Sequence, residues 1–597
     1  MKHRVFLFAF LTVMSCAAEA LLAAPPPAAG WPQWALNARH TGDDNTVNGQ
    51  NLNQILANII YDPLVSQEQA ANGGELLVHY QTPLVDGNDV YMESKSGTYT
   101  VASYSTEKWH QNKFTWIDGQ LTNVWTFDSD WNPPGSINDF WEPVYHAVLA
   151  NGFVYDPGAG GSIFKLSKTD GSVVKRINPF TTVDPLTFTI SPLTADDSGN
   201  IYYNVLKLAN SGPFLGTDAV DSWLVKVAPD DSIQIASYTT LLAGKVPAPT
   251  DQCYIAFSST QLPWPPSPDA MPPTIACGLQ RAAMNVSPAI APNGTIYTVT
   301  RAHFVTRHGH VVAINPDLTL KWVTPLKGPA TGPDGTFFTG GYFQDGCGVP
   351  PSAGGWLPPN GTPGGCRAGA RLAVDPEINR FGGGRVVDDS SSTPTIAPDG
   401  SVLYGAYSRY NYAQGHLMRF DGATGALLAS FGFGWDSTVA IFPHDGTYSI
   451  VMKNNHYSGL GSYCNNPTFC PTDRTSSNPA SPEAFFITQF SPGLSIEWSF
   501  QSTNTQSCSR NADGTLSCVS DHPHGFEWCV NAPVIDKFGV VYANSEDGNL
   551  YAISQGGTLK QLIFQQLALG AAYTPTSLGG DGKIYSQNAG HLFVVGK

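Results

Sequence analysis

Charge is what this sequence has least of. Asp, Glu, Lys and Arg together make up 13% of the chain, about half the roughly 25% of an average soluble domain. The shortage is on the basic side: 31 Lys and Arg face 47 Asp and Glu, a formal net charge of −16. A chain with so little positive charge is poorly equipped to neutralise a phosphate backbone, which argues against a nucleic-acid partner. Long apolar runs are scarce as well. The run from Phe6 to Met14 is too short to span a bilayer as a helix, and no later segment is longer and apolar enough. No CxxCH occurs, so no c-type haem is attached. Paired CxxC motifs and a GxSxG nucleophile elbow are also absent, which weakens the zinc and serine-hydrolase readings. Turn formers are abundant instead, with 60 Gly and 46 Pro, and 42% hydrophobic residues supply material for a large core. Many turns and few charges point to an all-β protein.

The N-terminus has the form of a secretory signal: Lys2, His3 and Arg4, then the apolar run, then Ala18-Glu19-Ala20 as a small-x-small cleavage site. Residues 1–20 are therefore expected to be removed near Ala20, with 21–30 as a leader and 31–597 as a single domain in the periplasm or outside the cell. Cys16 offers a looser alternative as a lipid-anchored cysteine. In an oxidising compartment the cysteines beyond it should form disulfides. Proximity suggests Cys253–Cys277, Cys347–Cys366, Cys464–Cys470 and Cys508–Cys518, with Cys529 left over. Sequence alone does not fix that connectivity.

Internal repetition decides the fold. A Thr/Ser/Ala-Pro start, a short apolar strand, an Asx-Gly or similar turn and an apolar-x-Tyr strand recur as TPLVDGNDVY (82–91), SPLTADDSGNIY (191–202), SPAIAPNGTIY (287–297), TPTIAPDGSVLY (393–404), APVIDKFGVVY (532–542) and TPTSLGGDGKIY (574–585). Two degenerate copies fit the spacing: YHAVLANGFVY (145–155), read with His146 at the proline position, and STVAIFPHDGTYSI (437–450). A second hairpin follows most copies, as in HVVAINPDLTLKWV (310–323) and NLYAISQGGTLKQLIF (549–564). Two hairpins make a four-stranded blade. Eight copies predict an eight-bladed β-propeller, with seven blades the alternative if 437–500 is irregular. The last copy ends at HLFVVGK (591–597), one strand short, and NQILANIIYDPL (53–64) is expected to supply the missing strand and close the ring.

The copies PAIAPNGTIYTV…GHVVAINPDLTLKW and PVIDKFGVVYANSEDGNLYAISQGGTLK resemble PQQ-binding-like, quinoprotein-type propeller repeats of exported bacterial proteins. WPQWALNARHTG (31–42) is similar to the segment that precedes such propellers. The resemblance covers about 31–597 and speaks to fold more than function, because the repeat serves both quinoprotein dehydrogenases and assembly-scaffold lipoproteins. In the dehydrogenases it implies PQQ over the axis, a bridging Ca²⁺ or lanthanide and an Asp that takes the substrate proton. Glu142, Asn285 and Asp436 are the counterparts by position. The adjacent Cys-Cys pair that often covers the quinone is missing, and the Trp-docking motif is reduced to FDGATGALLASF at 420–431.

Propeller topology sorts the loops. The long insertions at 129–142, 244–286, 327–392 and 501–531 link one blade to the next. Those at 205–222, 300–309, 407–415 and 454–484 join the middle strands. All fall on one face, as do all four expected disulfides, whereas the turns of the other face are tight. A rigid scaffold with long loops on one side commonly carries its site there. The candidates at the mouth of the axis are His79, Gln81, Glu142, Tyr145, His146, Asn285, Ser287, Ser391, Ser392, Asp436, Asn531 and Tyr573. The insertions add Arg301, His303, Arg307, His308, His310, Arg409, Tyr410, Tyr412, Lys453 and His456. His522, His524 and Glu527 are a weak metal candidate.

Three functions fit. The first is an exported binding or scaffold propeller that takes a small molecule, a glycan or an envelope protein at the loop face. The second is a PQQ-dependent dehydrogenase with Ca²⁺. The third is a lyase-like sugar-acting propeller, with Tyr410, His303 or His456 as base and Arg301 or Arg409 facing the carboxylate. The first is the expectation carried forward.

Overall fold

In the computed structural model the residues described are 30–100, 104, 106–135, 144–210, 219–254, 273–326, 374–375, 380–381, 386, 392–410, 413–434, 436–456, 483–570 and 574–597. Their strands form eight blades that follow one another along the chain, antiparallel but for Asp43–Asp44 beside Val534–Asp536, and three two-stranded pairs. Strands are lettered a to d from the axis outward. Blade one is Leu84–Asp86, Asp89–Gly97, Glu107–Ile117 and Gln120–Asp128. Blade two is Val148–Ala150, Phe153–Pro157, Ile163–Ser167 and Val173–Ile177. Blade three is Thr194–Ala195, Ile201–Leu208, Ala219–Val227 and Ile233–Ser237. Blade four is Ala289–Ile290, Ile296–Ala302, Val305–Ile314 and Leu320–Pro325. Blade five is Thr395–Ile396, Val402–Tyr410, Ala413–Phe420 and Leu427–Phe431. Blade six is Ala440–His444, Thr447–His456, Ala484–Phe490 and Ile496–Gln501. Blade seven is Val534–Asp536, Val541–Asn544, Asn549–Ser554 and Thr558–Phe564. Blade eight takes Ser577–Leu578, Ile584–Asn588 and His591–Gly596 from the end of the chain. Its outermost strand is Gln54–Ile60, antiparallel to the last, with Ile59 opposite Leu592. The chain is an eight-bladed β-propeller.

The repeat has a local cause. In blade three the turn carboxylate of Asp196 accepts from the N–H groups of Ser198 and Asn200 at 2.9 Å, and the Tyr202 hydroxyl donates to its other oxygen at 2.9 Å. Asp536 does the same in blade seven, accepting from the N–H of Phe538 at 2.9 Å and of Val540 at 3.0 Å, and from the Tyr542 hydroxyl at 3.3 Å. The Asx turn and the tyrosine that follows it are one unit. Register corrects one alignment. Leu84 pairs with Tyr91 and Val148 with Tyr155, so His146 stands at the Thr82 position and Ala147 at the proline.

The core is not central. Apolar clusters lie between neighbouring blades, sheet face on sheet face. Tyr297, Val299 and Trp322 of blade four pack on Val402, Tyr404 and Met418 of blade five. Tyr202 and Leu224 of blade three pack on Ile296 and Val312 of blade four. Each blade is thus stabilised by two neighbours, and outer strands such as Val173–Ile177 face solvent.

The axis is occupied by the chain itself. Residues 30–50 pass round it once and bond to the innermost strands in blade order. Trp31 pairs with Val85 of blade one, and the Pro32 carbonyl accepts from the Leu149 N–H of blade two at 2.8 Å. The Gln33 amide bonds both backbone groups of Ala195 in blade three, at 2.7 and 3.1 Å. The carbonyls of Ala38, Arg39, Thr41 and Gly42 accept from Ile290, Ile396, Ile441 and Ile535 of blades four to seven at 2.7–2.9 Å. The Gln50 N–H donates to Gly582 of blade eight at 2.7 Å. Ala35, Leu36, His40 and Gly42 hold positive φ of 44°, 78°, 59° and 61°. For the three that are not glycine this conformation is costly, and it persists because the surrounding bonds over-determine it.

Two of the expected disulfides are present. Cys253–Cys277 joins strands Gln252–Tyr254 and Thr274–Ala276 in the link from blade three to blade four. Cys508–Cys518 crosses the hairpin of Gln506–Arg510 and Leu516–Ser520 between blades six and seven. Cys347, Cys366, Cys464 and Cys470 lie outside the described residues. Cys529 is buried and unbridged.

Candidate functional site at the mouth of the axis

The residues that enter each strand a gather at one end of the axis, above the N-terminal segment. His79 of blade one and Asn285 of blade four meet there, Nδ1 to Nδ2 at 3.4 Å, although they are 206 positions apart in sequence. Asn285 Oδ1 accepts from the Val144 N–H at 2.9 Å, and its own N–H donates to Ile190 at 2.8 Å. The Gln81 side chain accepts from the Ala147 N–H at 3.0 Å, and Asn531 accepts from the Thr438 N–H at 3.0 Å. Asn285 and Asp436 have φ of 62° and 52°, which turn the chain sharply into the strand. His79, Gln81, His146, Asn285, Ser287, Ser392, Asp436 and Asn531 are all buried. The structure thus joins His79 to Asn285, and Gln81 and Asn531 each tie neighbouring blades. Glu142, Ser391 and Tyr573 lie outside the described residues.

The floor of the mouth is Trp34 and His40. The Trp34 Nε1–H donates to Thr393 Oγ1 at 3.1 Å, and its ring meets His146 edge-on at 5.8 Å. The Nδ1 of His146 lies 2.7 Å from the Ala147 carbonyl and so carries the proton. Its Nε2 has no hydrogen-bond partner among the described residues. Burial pushes the His146 pKa down to about 3 and that of His40 to about 4, so both are neutral. His40 Nδ1 lies 2.8 Å from the Pro394 carbonyl. Sequence reasoning treated 31–42 as a preceding segment and missed this role. Two tryptophans and a histidine in a stretch too short for a domain were the available signal.

The loop candidates divide into separate groups. In blade four, His303 sits between the Arg281 Nε at 3.0 Å and the Ala219 N–H at 3.1 Å. Arg301 is committed to the backbone carbonyls of Val386 and His303, both at 3.3 Å. His310 contacts Gln280 at 3.2 Å, and burial lowers its pKa to about 4. Arg307, His308, Arg409 and Tyr410 lie on the middle strands of blades four and five, and Tyr412 is outside the described residues. In blade six, His456 contacts Asn454 at 3.1 Å and is lowered by burial. Its neighbour Asn455 donates to Glu527 at 3.3 Å and to the Trp528 carbonyl at 3.1 Å. His522 stacks on Phe526 at 3.8 Å and bonds Asp521 at 2.6 Å, whereas His524 is exposed. Among the described residues no three His, Cys, Asp or Glu side chains are grouped to hold a metal ion.

One buried group beside the mouth escaped the sequence reading. Lys95 Nζ lies 2.9 Å from Asp62 and 2.7 Å from Glu68, all three side chains being almost wholly shielded. The Tyr80 hydroxyl donates to Asp62 at 2.6 Å, and Glu93 accepts from the Gln81 N–H at 2.8 Å. Burial raises Glu107 to about 7, with Lys95 acting against it and Glu68 and Asp62 adding to it. These residues are far apart in sequence, and no motif joins them.

No protein-family model matches the chain. No curated protein matches it by sequence. Among solved structures, the quinohemoprotein alcohol dehydrogenase of Comamonas testosteroni aligns with 96% of this chain and 81% of its own, at 12% identity and a TM-score of 0.47. BamB of Moraxella catarrhalis aligns with 91% and 97%, at 11% identity and a TM-score of 0.37. Saccharomyces cerevisiae Sqt1 aligns with 87% and 96%, at 9% identity and a TM-score of 0.40. Identities this low carry no statement about activity. Among the described residues no helix is long and apolar enough to cross a membrane.

Proposed function

We propose that this protein is an exported binding propeller whose loop-bearing face docks an envelope protein. The observation that carries the reading is the hairpin of Gln506–Arg510 and Leu516–Ser520. It stands out between blades six and seven, is clamped by Cys508–Cys518, and exposes Leu516 by 42% and Val519 by 66%. It is tied to blade seven at both ends: near its base Asn504 donates to Asp547 at 2.9 Å, and at the turn end Arg510 donates to the Phe564 carbonyl at 3.1 Å. A two-stranded ribbon held rigid, with free backbone edges and apolar tips, suits strand addition by a partner chain. Rigidity before contact lowers the ordering cost of binding.

The quinoprotein reading has less support. A quinone over the axis with a bridging cation needs donor atoms at the mouth that are not already spent. Here the axis holds Trp34 and His40, and His79 meets Asn285 across the mouth. Glu142, one of the three counterparts named from the resemblance, lies outside the described residues, and no step is derived through that group. The sugar-lyase reading also weakens, because Arg301 and His303 are already held by backbone and by Arg281.

A photo-crosslinking amino acid at Val519, in protein exported by its host, tests the docking face. A discrete, saturable adduct at Val519, absent at the equally exposed Phe538 on the opposite face, is expected. Equal yields at both positions, or none at Val519, would refute it.

A further inference from the structure

We propose a second site on the tight-turn face, a cleft between blades four and five that takes an acidic sugar of the hexuronate type. It is independent of the loop-face reading. The cleft encloses about 650 Å³, within the roughly 300–1,000 Å³ usual for small-molecule sites. Its walls are the a-to-b turns at Asn293 and Asp399–Gly400 and the c-to-d turn that starts at Asp421. Its inner end is Arg39 of the axial segment, whose carbonyl is fixed by Ile396 at 2.9 Å.

Two kinds of polar group face this cleft. Some are spent. Arg419 donates to Ser401 Oγ and the Pro492 carbonyl, both at 2.9 Å, and pairs with Asp399. Asp399 also accepts from Ser401 and from the Tyr448 hydroxyl. These groups form a rigid wall. Others are available. The Arg39 guanidinium makes no side-chain hydrogen bond or close ion pair among the described residues, although its charge acts on Asp43. Among the described residues Lys321 donates only to Thr295 Oγ1, at 3.3 Å, and its charge also acts on Asp421. Asp421 spends Oδ1 on the N–H groups of Ala423 and Thr424 and on the Thr424 hydroxyl, at 2.8–2.9 Å, which leaves Oδ2. Asn293 uses its oxygen on Thr295 and keeps its amide N–H groups.

The pattern selects its ligand. Arg39 and Lys321 together match one carboxylate, through charge-assisted bonds. Asp421 Oδ2 and the Asn293 amide match hydroxyl groups, one accepting and one donating. Half-exposed Leu428 and the proline-rich rim supply an apolar edge for the C–H face of a sugar ring. A neutral sugar leaves both cations unmet. A phosphate or sulfate brings its full charge against Asp421. A uronate satisfies all four groups.

Isothermal titration calorimetry with D-galacturonate and its 1,4-linked dimer, against D-galactose and inorganic phosphate, tests the assignment. The uronates should bind saturably and at least about tenfold more tightly than galactose, with phosphate failing to compete. Arg39→Gln and Lys321→Gln should each weaken the uronate about tenfold or more, and Asp421→Asn should narrow its advantage over acetate. Lys321 makes a single long contact, so its variant should fold and melt as the parent does even where Arg39→Gln does not. No saturable uronate binding, galactose binding as well as galacturonate, phosphate competing on equal terms, or full binding by Lys321→Gln would each overturn the proposal.

Discussion

Replacing Trp34 by alanine tests whether residues 30–50 are part of the fold. Trp34 is 3% exposed, donates to Thr393 and lies against His146. Truncating a buried aromatic costs about 3–5 kcal/mol through lost transfer and an unfilled cavity. The lost hydrogen bond leaves Thr393 with weaker partners and adds about 1 kcal/mol. Unfolding entropy of roughly 2.1 cal/mol/K per residue gives a cooperative unit of about 570 residues near 1.2 kcal/mol/K, so Tm should fall by about 3–5 °C. Trp34→Phe keeps most of the ring and loses the bond, and should fall by under about 1 °C. Differential scanning calorimetry reads both. A chain that starts at residue 45 should lose far more, because it gives up bonds to seven inner strands. Equal melting of that truncation and the parent would refute the reasoning, since the segment would then be an ornament of the axis.

The buried acidic group gives a pH signature. The folded pKa of Glu107, near 7, lies above its ordinary 4.5, so its stabilising contribution is complete below about 4.5 and is lost as pH rises through 7. Glu107→Gln mimics the protonated form and should raise Tm at pH 8 while changing little at pH 5. Lys95→Met removes the only cation found on Asp62 and Glu68 among the described residues and should destabilise by about 3–5 kcal/mol, read by denaturant unfolding. His146 has the opposite sign: its lowered pKa near 3 makes its contribution complete above 6.5 and lost as pH falls. His146→Asn should therefore flatten the acid limb of the stability curve. Cys508→Ser should free the 506–520 hairpin by about 3 kcal/mol in the chain-entropy model and open it to limited proteolysis, with the propeller melting unchanged. Cys529, whose thiol is pushed up by burial and by Glu546 and Glu527, should resist maleimide in the native protein and react after unfolding, as mapped by peptide mass spectrometry.

The blades were legible because their information is local. A turn aspartate and the tyrosine that bonds it, such as Asp196 and Tyr202, lie six positions apart. Alternation along each strand marks the faces that meet a neighbouring blade. That residues such as His79, Asn285 and Asn531, just before a strand a, are buried was legible from topology. Their pairing was not. His79 reaches Asn285 across half the ring, and Gln33 reaches Ala195 over 162 positions. Such ties follow from closure of the circle and leave no periodic trace. His146 was assigned one position off, because a degenerate copy lacks the proline that anchors the alignment and only the Val148–Tyr155 pairing fixes it. The cleft at Arg39 was hidden for the same reason, since it joins the N-terminal segment to turns more than 250 positions away.

The central claim is that this propeller binds with its faces and that its axis is closed by its own N-terminal segment. Thermal melting of the protein with PQQ and Ca²⁺, singly and together, tests it most directly. The account predicts no shift in Tm at saturating concentrations and no quinone absorbance after desalting. A ligand at a hundred times its Kd adds about 2.7 kcal/mol, about 2 °C for a unit of this size. A shift of that order requiring both components would contradict the claim.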